Sequence, residues 1–177
     1  MKKSTMNAKF LCILTLFILF LSCKKTQEEN TNDIAEVKQN DVITESDIFK
    51  LDYIEFVPSP EVEELTQNWT EYIELQEQVR QIKKGDLSYF NDNEETIKNL
   101  FESIVEAIPE QLNNNSIVAR IKAVETKFYK LESFANLETT TKEELLLTIK
   151  EFLISITNLD LQMNKTIELE NQNIEKP

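Results

Sequence analysis

The side chains able to carry chemistry in this chain are above all carboxylates: 32 Asp and Glu stand against 19 Lys and Arg, with two cysteines and no histidine. Two convergent carboxylates can serve as general acid and base on a glycosidic bond. Glu71, Glu74, Glu102, Glu106 and Glu125 are the residues from which such a pair would be drawn, although glutamates on amphipathic helices ordinarily form the solvated face. Without histidine, zinc sites of His and Cys, histidine-ligated haem, serine-histidine dyads and the Glu-x-x-His di-metal bundles each lose an indispensable member. Residues 86–95, DLSYFNDNEE, have the acid density of a calcium loop. They lack the glycine that an EF-hand loop needs at its sixth position, so no metal is expected. Gly85 is the only glycine, which removes glycine-rich phosphate loops from consideration. No cofactor is implied.

Recognition is the remaining chemistry, and four residues could carry it. Trp69 is either core or, if exposed, an anchor of the kind that dominates interfaces. Arg80, the first arginine in the chain, suits a tight ion pair within the fold or recognition of an acidic ligand. Tyr53 and Phe56, with Val57 beside them, either cap the domain or offer an apolar patch to another protein.

The elements that would position these residues read as helices. Ser59-Pro60 is an N-cap and first-turn pair, and Val62, Leu65, Trp69, Tyr72, Gln76 and Val79 recur at steps of three and four, predicting one helix from 60 to 84. Lys83 and Lys84 suit its last turn, and Gly85 its left-handed cap. Ile97, Leu100, Phe101, Ile104, Val105 and Ile108 mark a second helix over about residues 93–108, stopped by Pro109. PEQLNNN reads as a polar connector, after which Ile117, Ile121, Val124, Phe128, Leu131 and Ala135 mark a third helix. Thr141 and Glu144 form a capping box for a fourth, with Leu145, Ile149, Phe152, Ile156, Leu159 and Met163 as its stripe. The polar ELENQNIEKP end is expected to fray. Narrow stripes with short connections predict an all-α, antiparallel three- to four-helix bundle over residues 60–172. Before it, DIFKLDYIEFVPS over residues 47–59 reads as an extended segment laid on the bundle, because Pro58 and Pro60 turn their predecessors away from helix. Residues 23–46 are too polar to offset the entropy of ordering them and read as a tether with a span of about 25–30 Å.

The N-terminal residues decide where such a domain would work. Lys2, Lys3 and Lys9 precede FLCILTLFILFL, an apolar run from Phe10 to Leu21. It extends about 18 Å as a helix, short of the roughly 30 Å hydrocarbon layer, so residues 1–22 fit a signal peptide better than a transmembrane span. Phe20-Leu21-Ser22-Cys23 then resembles the lipobox of bacterial lipoprotein precursors, with Phe20 where leucine is usual. The resemblance implies cleavage before Cys23, a diacylglycerol on its thiol, and acylation of its freed amine. Several acyl chains together make a stable anchor. The other readings of Cys23 are an uncleaved anchor, a buried thiol, or a disulfide to Cys12. Lysine followed by acids after the cysteine is similar to the export signals of surface lipoproteins of the Bacteroidota, with Glu28 and Glu29 placed later than in that pattern. An envelope location follows, at the outer membrane in preference to the inner, with the leaflet undecided.

Cleavage would take three lysines and no acid, moving the formal charge from −13 to −16. Such a surface repels nucleic acid and anionic headgroups and attracts basic partners. The sequence therefore predicts a lipid-anchored interaction module that meets another envelope protein, in an oligomeric state it does not disclose. A carboxylate-dependent hydrolase of envelope glycans and a plain structural spacer are the alternatives.

Overall fold

The computed structural model describes residues 42–91 and 93–172, which form six α-helices and no strand. These are α1 (Glu45–Phe49), α2 (Pro60–Thr66), α3 (Thr70–Lys83), α4 (Glu94–Glu106), α5 (Asn115–Asn136) and α6 (Lys142–Asn171), with single 3-10 turns at Ser88–Phe90 and Glu110–Leu112. Helices α3 to α6 make the antiparallel bundle. The expected anchor residues Phe20, Leu21, Ser22 and Cys23, and the tether as far as Asp41, lie outside the described residues. Among the described residues no helix is long and apolar enough to cross a membrane.

Helix α6 is the spine. Thr141 caps it, its hydroxyl accepting from the Glu144 N–H while the Glu144 carboxylate accepts from the Thr141 N–H at 2.9 Å. Its apolar stripe from Ile149 to Met163 is buried as the heptad requires, with Leu145 only half-buried. Helix α5 packs along it, and a short connector makes the two antiparallel. Lys127 and Lys130 both reach Glu151, at 2.8 and 2.9 Å, and hold its carboxyl below the usual range. Helix α3 lies on the other flank, also antiparallel, so that Tyr72 meets Asp160. Helix α4 contacts α3 and α5 and closes the bundle.

The core centres on aromatic rings. Phe128 of α5 lies between Phe101 of α4 and Phe152 of α6, with ring centroids 5.5 and 5.3 Å away, and meets Phe90 at 4.9 Å. All four rings are fully buried. Leu112, within the connector that reads as polar, is fully buried as well. A 3-10 turn folds its side chain inward while Glu110 and Gln111 stay exposed.

Two N-terminal expectations need correction. The helix expected over 60–84 is two helices, because the chain turns at Gln67 and Asn68. Thr66, which is buried, donates its hydroxyl to the Val62 carbonyl at 2.9 Å, the back-bonding that bends helices. Trp69 then occupies the N-cap position of α3 with ψ 84°. The buried set becomes Val62, Thr66, Trp69, Tyr72, Leu75, Val79 and Ile82, in place of a stripe through Leu65 and Gln76.

The second correction concerns the tether and the extended segment. Ile43 is buried, and Thr44 to Phe49 form a capped helical turn instead of tether and extended chain. Thr44 and Asp47 make a capping box, and the Asp47 carboxylate also meets Lys142 at 2.9 Å. Its pKa falls to about 2, chiefly through the Thr44 hydroxyl bond and then through Lys142.

Gly85 ends α3 as expected, with φ 84°. Its N–H bonds the Ile82 carbonyl and the Asp86 N–H bonds that of Gln81, the paired pattern of a Schellman cap. A Cβ at Gly85 would lie 2.7 Å from the Ile43 carbonyl oxygen, so this turn needs glycine for its conformation and for the approach of residues 43 and 44. Gly85→Ala should cost roughly 2 kcal/mol in urea unfolding and speed proteolysis near Ile43. An unchanged transition midpoint would show that the contact with Ile43 is not made.

Candidate partner-docking strap

Residues 50–59, linking α1 to α2, run as a strap over the seam between α3 and α6. Its attachment is side chain to main chain. The Thr157 hydroxyl accepts from the Phe56 N–H and donates to the Phe56 carbonyl. The Asn164 amide donates to the Val57 carbonyl at 2.8 Å and accepts from the Ser59 N–H at 2.7 Å. Thr157 and Asn164 are about 10 Å apart along the helix axis, and three residues of fully stretched chain cover about the same length. The strap from Phe56 to Ser59 therefore runs parallel to α6, with Phe56 at Thr157 and Val57 and Ser59 at Asn164. Glu55 adds an ion pair with Lys83 of α3.

Asp160 lies between the two clamps, one turn from each, and is 5% exposed. It accepts the Tyr72 hydroxyl at 2.8 Å. Burial pushes its pKa up to about 6, against the downward pull of the Tyr72 bond and Lys83, with Glu55 adding to the rise. Tyr72 is driven upward by burial and then by Asp160, so it stays a donor at every physiological pH. The cavity that Asp160 shares with Tyr53, Glu55, Phe56 and Lys83 has a volume of only about 10 Å³.

The strap turns its outer side to solvent. Ile54 is 73% exposed, Val57 65% and Phe56 37%, and Phe49 at the end of α1 is 89% exposed. A depression of about 360 Å³ lined by Glu45, Glu55 and Lys83 as well as Ile48, Phe49, Leu51 and Tyr53 opens at its N-terminal end. Another of about 270 Å³, lined by Glu63, Gln67, Gln76 and Arg80 as well as Pro58, Thr66, Tyr72 and Ile73, opens at the other end. Lone surface apolar residues are ordinary; a row of them on one held segment is not.

The four candidate recognition residues separate in the structure. Phe56 belongs to the outer row, and Tyr53 is half-buried against the core. Trp69 is 2% exposed and stacks on Tyr72 with centroids 5.1 Å apart; it supports the floor of the strap and offers nothing to a partner. Arg80 pairs with Glu77 on the surface of its own helix, its Nε 2.9 Å from the carboxylate. That is a local exposed pair and not a bond that ties the bundle together.

Ile54, Thr157, Asp160 and Asn164 are absent from the sequence-derived candidates. An acid inside LISITNLDLQM was the available signal for Asp160. A larger depression, about 950 Å³, is polar, lined by Glu94, Glu95, Lys98, Tyr129 and Glu132 among others. Glu132 there is raised by burial and by Glu94. Asp86 is spent locally, accepting the Ser88 N–H at 2.9 Å. No protein-family model, no curated protein and no solved structure matches this chain.

Proposed function

We propose that this chain is a lipid-anchored protein of the bacterial cell envelope that works as a binding module, docking another envelope protein on the strap. The observation that carries the reading is the row Ile54, Phe56 and Val57, exposed on a segment whose main chain is clamped to α6 at Phe56, Val57 and Ser59, with Phe49 exposed at the end of α1. Holding an apolar row rigid before the partner arrives lowers the ordering cost of association. A plain spacer has no need of such a row. Two features favour carboxylate catalysis, buried Asp160 and Glu132, which burial and Glu94 raise in the polar depression of about 950 Å³, since buried, perturbed acids concentrate at active sites. The Asp160 cavity of about 10 Å³ has no room for a sugar ring, and Glu94 and Glu95 beside Glu132 are exposed, the ordinary solvated face of a helix, which favours binding over hydrolysis.

The test is a crosslinked pull-down of the acylated protein from its own envelope, read by mass spectrometry. Cys23→Ser should release the protein from membranes, and a processed but unacylated wild-type N-terminus would refute the anchor. Ile54→Ser with Val57→Ser should abolish capture of a stoichiometric partner while leaving stability within about 0.5 kcal/mol, because both sites are exposed. A partner retained by that double variant docks elsewhere and overturns the reading.

A further inference from the structure

Asp160 is enclosed by α6, α3 and the strap, in surroundings that suit its neutral form. The residue is 5% exposed, and among the described residues its carboxylate accepts one hydrogen bond, from the Tyr72 hydroxyl at 2.8 Å. An ionised carboxylate has about four acceptor sites to fill, and leaving them unfilled in a buried place is costly. The cavity beside it, about 10 Å³, has space for one water at most. Tyr53, Glu55 and Phe56 of the strap form one wall of that cavity. Lifting the strap is the movement that would open the carboxylate to water.

Few other titratable groups face it. Helix α3 presents Tyr72 and Lys83, and the strap presents Tyr53 and Glu55, while the α6 residues lining the cavity, Leu153, Ile156 and Thr157, carry no charge. Glu63 of α2 acts on Tyr72, raising it further. Lys83 is the only cation of this set, and Glu55 already engages it. Once ionised, Asp160 competes with Glu55 for Lys83. The charge that calls for water thus also weakens the ion pair tying the strap to α3, and both effects oppose closure. With burial pushing the acid up to about 6, the change falls between pH 5 and pH 8.

We propose that the strap is a pH-gated lid, closed while Asp160 holds a proton and released from its Thr157 and Asn164 clamps once Asp160 ionises. This is regulation of the docking surface and rests on the strap being that surface. In mildly acid surroundings the row Ile54, Phe56 and Val57 is held ready for its partner. Toward pH 8 the row loosens, and the partner must reorder it on binding, which weakens the complex. The direction follows from linkage: a proton held more tightly in the closed form favours closure at low pH, and that contribution is lost as pH rises.

The experiment follows amide hydrogen exchange by NMR on the full-length protein from pH 5 to pH 8, corrected for the intrinsic pH dependence of exchange. The Phe56 and Ser59 amides, which donate to Thr157 and Asn164, report on the lid. The amides of Leu159 and Met163, buried in α6, report on global unfolding. Protection at Phe56 and Ser59 should fall at least about tenfold across this range in the wild type and stay level in Asp160→Asn. At pH 8 it should also be insensitive to about 1 M urea, because a lid exposes little surface, whereas Leu159 and Met163 should respond. A level wild-type profile, or an equal fall in the variant, overturns the proposal. So does a urea response matching that of the core, which would make the opening global. Envelope capture at pH 5 and pH 8 separates the two readings. If capture depends on Ile54 and Val57 while protection stays level, the lid fails and the docking reading survives. If protection follows Asp160 while capture is indifferent to those residues, the docking reading fails and the regulatory proposal falls with it.

Discussion

Phe128→Ala should remove about 3–5 kcal/mol of stability, a large share of the roughly 5–15 kcal/mol that a domain possesses. The ring is fully buried where α4, α5 and α6 meet, touching Phe90, Phe101 and Phe152. Its loss opens a void that helices held by long stripes cannot collapse, and it releases the loop that Phe90 anchors. The Asn136 side chain bonds the Phe90 carbonyl at 2.9 Å, so that loop and the end of α5 should loosen together. Urea unfolding with exchange read at residues 88–91 checks this. A cost below about 1 kcal/mol would contradict the packing described for the ring.

Asp160→Asn should stabilise the protein at pH 8 by up to about 3 kcal/mol and leave it nearly unchanged at pH 4. The folded-state pKa, about 6, lies above the ordinary 3.8, so the native state holds its proton more tightly than the unfolded chain does. The contribution of this group is fully present below pH 4 and is lost as pH rises through 6. Asparagine removes the buried charge and keeps an oxygen for the Tyr72 hydroxyl. Asp47, with its pKa lowered to about 2, acts in the opposite sense: its contribution is present above pH 4 and is lost as pH falls through 2. Wild-type stability should therefore peak near pH 4 for these two groups. Urea titrations at pH 4.5, 6 and 8 decide the matter; parallel curves for wild type and variant would sink it.

Several features were legible along the chain because their causes are local. The Thr141–Glu144 box, the Gly85 cap and the stripes of α4, α5 and α6 depend only on residues three or four apart. The Thr44–Asp47 box carries the same signal in TESD. It was hidden by the polar stretch around it, since composition alone assigned Thr44 to the tether. The break at residues 67–69 was not legible, because Trp69 and Tyr72 fit an unbroken heptad as well as they fit two helices.

The site was harder to see for a further reason. Leu153, Thr157, Asp160 and Asn164 follow one another at steps of four, three and four, forming a second seam on α6 that faces the strap and α3. Three of the four are polar, so a search for apolar periodicity passes over them. Their partners, Phe56, Tyr72 and Val57, lie about a hundred residues earlier in the chain.

The sequence by itself determined an all-α bundle, its caps, its acidity and the absence of histidine chemistry, since each follows from composition or from spacing within one turn. Tertiary structure alone decided that Trp69 is floor and not anchor, that Arg80 is spent on Glu77, and that a clamped strap presents Ile54 and Val57. Burial of a side chain and pairing of a main-chain edge depend on which distant segment lies opposite, and no local rule contains that information.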